Sequence, residues 1–179
     1  MRHVISILMA NESGALVRVA GLFSQRGFNI ETLNVAPTEN TAMSRLTLVT
    51  LGSEHVVDQI VRQTQKLVDV VDVQNMTAVE HTELEVGLVK IHSDVDQATL
   101  DAVLGNVDVH CIDTTDGMRT LRFLGTGDEL NTLIEELSNA RILDEHVRSG
   151  SVSLARGAHR LHHTATHSID QAIVEPNSQ

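Results

Sequence analysis

Asn11-Glu12-Ser13-Gly14-Ala15-Leu16, and then Arg26-Gly27-Phe28-Asn29-Ile30 one helical length later, are the residues with the most chemistry to offer. The first run puts a polar, glycine-containing loop between an expected strand and an expected helix. A helix beginning at Gly14 or Ala15 presents unpaired N–H groups and a positive dipole end, which favour a carboxylate. Gly14 lets a ligand come close to the backbone. Asn11 and Asn29 offer donors and acceptors without net charge, and can serve an ammonium and a carboxylate together. Leu8, Leu16 and Ile30 are the apolar neighbours for a small aliphatic group. This is chemistry for holding a free apolar amino acid, not for breaking a covalent bond. The same spacing also fits Asn11 as a helix cap and Asn29 as the first residue of a strand, and spacing alone leaves both readings open.

Elsewhere the chain offers little for catalysis, and no catalytic residue is assigned. Ser13 has no His partner near it in sequence. No Gly-x-Ser-x-Gly, His-Glu-x-x-His or Gly-Lys-Ser/Thr pattern occurs. Gly125-x-Gly127 lacks the third glycine and the lysine of a phosphate cradle and reads as a strand-to-helix turn. His110, Asp113 and Asp116 are the only candidates for an enzyme built on the second half, and the two acids sit at a turn. The His163/His167 spacing is a weak metal pattern that no Cys or carboxylate supports, so no metal site is assigned. Cys111 has no partner for an internal disulfide and reads as a small buried residue in a strand.

The elements that must position the loop follow from periodicity. Val4 to Met9 is a buried strand. Leu16, Val19, Ala20 and Phe23 fall on one helical face, which Gly27 closes. Asn29–Ala36, ending at Pro37, and Arg45–Leu51 are strands. A helix follows, with Ser53 as its cap and Val57, Ile60, Val61 and Thr64 inward. Val68–Val73 is a fourth strand. The order βαββαβ is a ferredoxin-like unit. It repeats over Leu84–His92, a short helix with Asp94 and Gln97 at capping-box spacing, Val107–Asp113, Met118–Leu124, a helix opened by Thr126 and Glu129, and Ile142–Val147. The fold class is therefore α+β, with two ferredoxin-like βαββαβ domains at 1–78 and 83–157 and a disordered tail at 158–179. A single sheet with helices on one face leaves its other face and its edges for oligomerisation to cover.

Composition limits the partners. The 179 residues are 41% hydrophobic and carry a net charge of −11, with three Phe and no Tyr or Trp. Such a surface repels nucleic acid and anionic membranes and lacks the aromatic platforms of single-strand binding. No apolar run is long enough to span a membrane, and no signal peptide is read, so a cytoplasmic protein is expected.

The run Asn11–Glu31, with Val35-Ala36-Pro37-Thr38, Ser44-Arg45 and Gln65–Val70, closely resembles the small regulatory subunit of acetolactate synthase (acetohydroxyacid synthase). Leu88–Ile91, Val147–Gly150 and Leu154–Gly157 resemble later parts of the same family. The resemblance implies an N-terminal ACT domain followed by a second ferredoxin-like domain. It implies a homodimer that activates the catalytic large subunit and confers feedback inhibition by valine, often also by leucine or isoleucine. Thiamine diphosphate, magnesium and FAD belong to the catalytic chain, and none is expected in this one. In the family the effector lies where two ACT domains meet. The matching positions here are Asn11, Gly14, Ala15, Leu16, Asn29 and Ile30. One segment departs from the pattern. Ser93–Asn106 is short and acidic, with Asp94, Asp96 and Asp101, where relatives usually carry a longer stretch with a Phe-Arg pair. Two other readings remain at this point: a stand-alone ACT sensor acting on a different enzyme, and an enzyme using His110, Asp113 and Asp116.

Overall fold

The computed structural model describes residues 1–105 and 107–161. β1 (Arg2–Ala10), α1 (Ala15–Gln25), β2 (Ile30–Pro37), β3 (Met43–Leu51), α2 (Glu54–Thr64) and β4 (Val70–Asn75) form the first βαββαβ unit. A single 3-10 turn at Met76–Ala78 leads out of it. β5 (His81–His92), α3 (Gln97–Leu104), β6 (Val109–Thr115), β7 (Met118–Gly125), α4 (Gly127–Asn139) and β8 (Leu143–Arg148) repeat the order, and a short β9 (Val152–Ala155) follows. The sheets run β2-β3-β1-β4 and β6-β7-β5-β8, the same antiparallel arrangement twice.

β1 is an almost unbroken apolar run because both its faces are buried. Ile5, Ile7 and Met9 face the helices and share a core with Val19, Phe23, Leu46, Leu48, Val57 and Ile60. Val4 faces the other way and packs with Val49, Met76 and Ala155. Ala155 belongs to β9, so the face that oligomerisation was expected to cover is covered in part from within the chain. The device is β5. Its first residues, His81–Leu84, pair with β9, and Glu85–His92 pair with β7. One strand therefore serves both layers.

The second core gathers Val89, Ile91, Leu121 and Phe123 beneath Leu100, Leu130, Leu133 and Leu137 of the helices. The opposite face stays open there: Val86, Leu88, Leu124 and Val147 are exposed. The capping box at Thr126/Glu129 forms, with Glu129 accepting from the Thr126 backbone N–H at 2.7 Å.

Local expectations are corrected in four places. Asp96 caps α3, accepting from Thr99 N–H at 2.8 Å; Asp94 does not. Ser53 stands at the cap of α2 without a side-chain capping bond. The buried face of α1 is Ala15, Val19 and Phe23, which turns Leu16 outward. Cys111 is exposed, because β6 is the outer strand of its sheet and shows most of its length to solvent. His162, His163 and His167, and the tail beyond Leu161, lie outside the described residues.

Candidate functional site

The loop between β1 and α1 has the character that its residue types imply. Gly14 is the N-cap of α1 at φ 91°, no side chain caps the helix, and its first turn has no acidic residue. Ala15 N–H turns onto the Glu12 carbonyl at 3.2 Å, and Arg18 N–H closes on the Gly14 carbonyl at 3.0 Å. Between them the N–H groups of Leu16 and Val17 have no backbone acceptor among the described residues and point out of the helix end, where an anion is favoured.

Asn11 fastens this loop to the β2–β3 turn. Its backbone N–H donates to Ala42 O at 2.8 Å, and its Nδ2 to Thr41 O at 2.9 Å. Among the described residues nothing donates to its amide oxygen. Ala15 is 1% exposed, so its side chain belongs to the core and only its backbone faces the loop. Leu16 is exposed at the helix end. Leu8 lines neither side of the loop, because the alternation of β1 turns it to the face away from α1.

Arg18 was not singled out in sequence, yet it lies on Gly14. A Cβ built on Gly14 would come 3.0 Å from Arg18 Nη1. Side chains on a helix lean toward its N-terminus, so the fourth residue after the cap covers the first turn. The arginine is held there by Asp69, a buried carboxylate that pairs with its Nε, and this bond keeps the Asp69 carboxyl below its ordinary pKa. The spacing Gly14-x-x-x-Arg18 was the available signal.

Asn29 and Ile30 lie elsewhere. Asn29 Nδ2 donates to Glu31 Oε1 at 2.6 Å, and the Asn29 carbonyl accepts from Thr50 Oγ1 at 2.6 Å. The register Ile30↔Thr50 and His3↔Thr50 puts Asn29 level with the start of β1, whereas Asn11 follows its end. β1 is 9 residues long. At about 3.3 Å per residue, the two asparagines stand roughly 25 Å apart along the sheet. One chain brings Asn11, Gly14, Ala15 and Leu16 together and leaves Asn29 and Ile30 at the opposite end.

The candidates for chemistry in the second unit do not converge. His110 pairs with Asp108 at 2.9 Å, Asp113 accepts from Thr115 at 3.0 Å, and Asp116 sits in a turn at φ 52°. All three are exposed. The Gly125–Gly127 turn is closed by the Thr126/Glu129 box, whose carboxylate occupies the place a phosphate would need. Among the described residues, no three His, Cys, Asp or Glu side chains gather as metal ligands, and no helix is long and apolar enough to cross a membrane.

Comparison with known proteins accounts for both units. Residues 5–72 match the AHAS small subunit-like ACT domain, and residues 84–157 match the small subunit of acetolactate synthase. The chain is 43% identical over 160 residues to the acetolactate synthase isozyme 3 small subunit of Salmonella typhimurium, covering 88% of this chain and 97% of that one. It belongs to the acetolactate synthase small-subunit family.

The corresponding Escherichia coli small subunit is 42% identical over the same coverage. The crystal structure of the acetolactate synthase small subunit from Thermotoga maritima superposes with a TM-score of 0.77 at 28% identity, covering 88% of this chain and 98% of that one. The acetolactate synthase match runs through the short acidic segment 93–106. Residues 93–105 fold here into a turn and α3, whose Asp101 accepts from Gln97 Nε2 at 2.6 Å.

Proposed function

We propose that this chain is the regulatory subunit of an acetolactate synthase, a cytoplasmic protein without catalytic activity of its own. It activates the catalytic subunit of that transferase (EC 2.2.1.6) and makes it sensitive to valine. Thiamine diphosphate, magnesium and FAD are held by the catalytic chain. The observation that carries this reading is the uncapped α1 N-terminus at Gly14, flanked by Asn11 and Arg18. An α-carboxylate would take the free N–H groups of Leu16 and Val17, and an ammonium the free oxygen of Asn11.

The distance between the asparagines supports a site shared by two copies. β2 is the outer strand of its sheet and mostly exposed. A second copy pairing antiparallel along β2 brings its own Asn29 to the end of the sheet that carries Asn11 and Gly14. Each of the two sites then takes Asn11, Gly14, Ala15 and Leu16 from one copy and Asn29 and Ile30 from the other. Valine favours the paired arrangement, and the catalytic subunit senses that arrangement, so valine affinity and inhibition are thermodynamically linked. Discrimination among branched-chain amino acids is modest, since one methylene in an apolar pocket is worth about 1–3 kcal/mol.

The test is a valine titration of the complex reconstituted with the catalytic subunit, each chain also being assayed alone on pyruvate. Inhibition is expected in the complex and no turnover in this chain. Turnover of pyruvate by this chain alone, or a complex indifferent to valine, would overturn the reading. The shared site is tested by mixing. Asn11→Ala and Asn29→Ala chains are each expected to lose valine binding as homodimers. Their mixed dimer keeps one site with both asparagines, so binding returns at up to half the normal stoichiometry. No recovery on mixing would place both residues in one chain's site or in none.

A further inference from the structure

On the face of the first sheet turned away from its helices, a cavity of about 330 Å³ lies between β2 and the edge of β9 that pairs with no strand among the described residues. Arg45 reaches into it from β3. Its Nη2 donates to Ser6 Oγ at 3.2 Å and to Ser153 O at 2.9 Å, while its Nε is buried without an acceptor among the described residues. No carboxylate pairs with this guanidinium among the described residues, and burial alone draws its pKa below the ordinary arginine value. Arg45 is half-buried, and a cation partly withdrawn from water favours an anion beside it.

Ser153 supplies a second unpaired group. It is 6% exposed, and its Oγ has no partner among the described residues. Arg156 N–H bonds back to Glu80 O, on the side of β5. Alternation along β9 therefore turns the Ser153 N–H to the free edge, beside the carbonyl that Arg45 uses. Around these donors stand Ala36 and Pro37 of β2 and Val152 and Leu154 of β9.

We infer that this cavity binds a small aliphatic carboxylate, with the carboxylate on Arg45 and Ser153 and the hydrocarbon on Ala36, Pro37, Val152 and Leu154. Glu39 at the rim disfavours a dianion, which leaves a monocarboxylate as the fitting class. The walls come from both units, so an occupant bridges the first sheet and β9. The site is on the opposite face of the sheet from α1 and does not depend on the valine reading.

Isovalerate is the probe and isovaleramide its uncharged control, each titrated into the ¹⁵N-labelled full chain and followed by amide shifts. Isovalerate is expected to give saturable shifts at Asn34 and at Val152 to Leu154, with the amide at least tenfold weaker. Arg45→Met is expected to lose the response. Ala36→Phe fills the cavity from an exposed strand position, leaves the guanidinium in place and loses the response too, so the test survives if Arg45→Met does not fold. Gly14→Asp keeps it. The inference is overturned by the absence of saturable shifts, by an equal response to the amide, or by a folded variant at Arg45 or Ala36 that still responds. Loss of the response in Gly14→Asp would also overturn it, by assigning the shifts to the α1 end.

Discussion

Gly14→Asp is expected to abolish valine binding while the chain stays folded. Gly14 holds φ at 91°, a conformation that costs a side-chain-bearing residue about 1–2 kcal/mol and that Asp tolerates better than most. That cost is small against the stability of a domain. The new carboxylate has two destinations. It reaches the free N–H groups of the first turn of α1, as an N-cap does, and its Cβ starts 3.0 Å from Arg18 Nη1. The introduced side chain would thus become a built-in anion in the place proposed for the ligand's carboxylate, and would repel that carboxylate as well. A loss of at least a hundredfold in valine affinity is expected by calorimetry, together with loss of inhibition in the reconstituted complex. Activation of the catalytic subunit should survive, since the change leaves both cores alone. Gly14→Ala separates the causes: it carries the strain without the charge and should lose less. An unchanged valine isotherm in Gly14→Asp would remove the site from this loop.

Much of the scaffold around this loop was legible in the residues, for reasons the structure makes plain. Val4 to Met9 is apolar on both faces, and both faces are buried. Val57, Ile60 and Thr64 recur at helical spacing and point into one core. The Thr126/Glu129 box was readable because it is local, with both partners within one turn. What failed to show was non-local. β9 is four residues long and has too little length for a pattern; it exists because His81–Leu84, some seventy positions earlier, lie beside it. The exposure of Cys111 depends on β6 having a neighbour on one side only. The wide separation of Asn11 and Asn29 was implicit in the order of elements. A residue that ends β1 and a residue that begins the parallel β2 must lie at opposite ends of a sheet. Arg18 was hidden by its type, since a charged residue on a helix reads as solvated surface until its carboxylate partner is placed.

Arg148→Met is expected to destabilise the second unit by about 3–5 kcal/mol, the range found when one partner of a buried ion pair is removed. Glu85 is 1% exposed and accepts Arg148 Nε at 2.7 Å and Nη2 at 2.9 Å, a bidentate pair. Arg148 Nη1 also donates to Asn131 of α4 at 2.8 Å. The first residue of that helix lies against the same carboxylate, since a Cβ on Gly127 would come 3.1 Å from Glu85 Oε2. One guanidinium thus joins β5, β8 and α4. At about 2–4 °C per kcal/mol for a chain of this size, thermal unfolding should drop by roughly 10 °C. The charge, more than the lost packing, should set the effect. Met fills much of the arginine's hydrocarbon volume, and what remains is a buried carboxylate stripped of its bidentate partner, with the nearby Arg2 guanidinium already paired to Glu83. Glu85→Leu combined with Arg148→Met removes that charge too and should recover most of the loss. If the double variant is no better than the single, the damage lies in packing around α4. The position of the pair raises the stakes. Glu85 follows Leu84, the residue at which β5 passes from β9 to β7, and Glu83 just before it pairs with Arg2 of β1. Two acids on one strand, each with its own arginine, hold β5 to the first sheet on one side of the crossing and to α4 on the other. A carboxylate left unpaired there would loosen the strand that both units share.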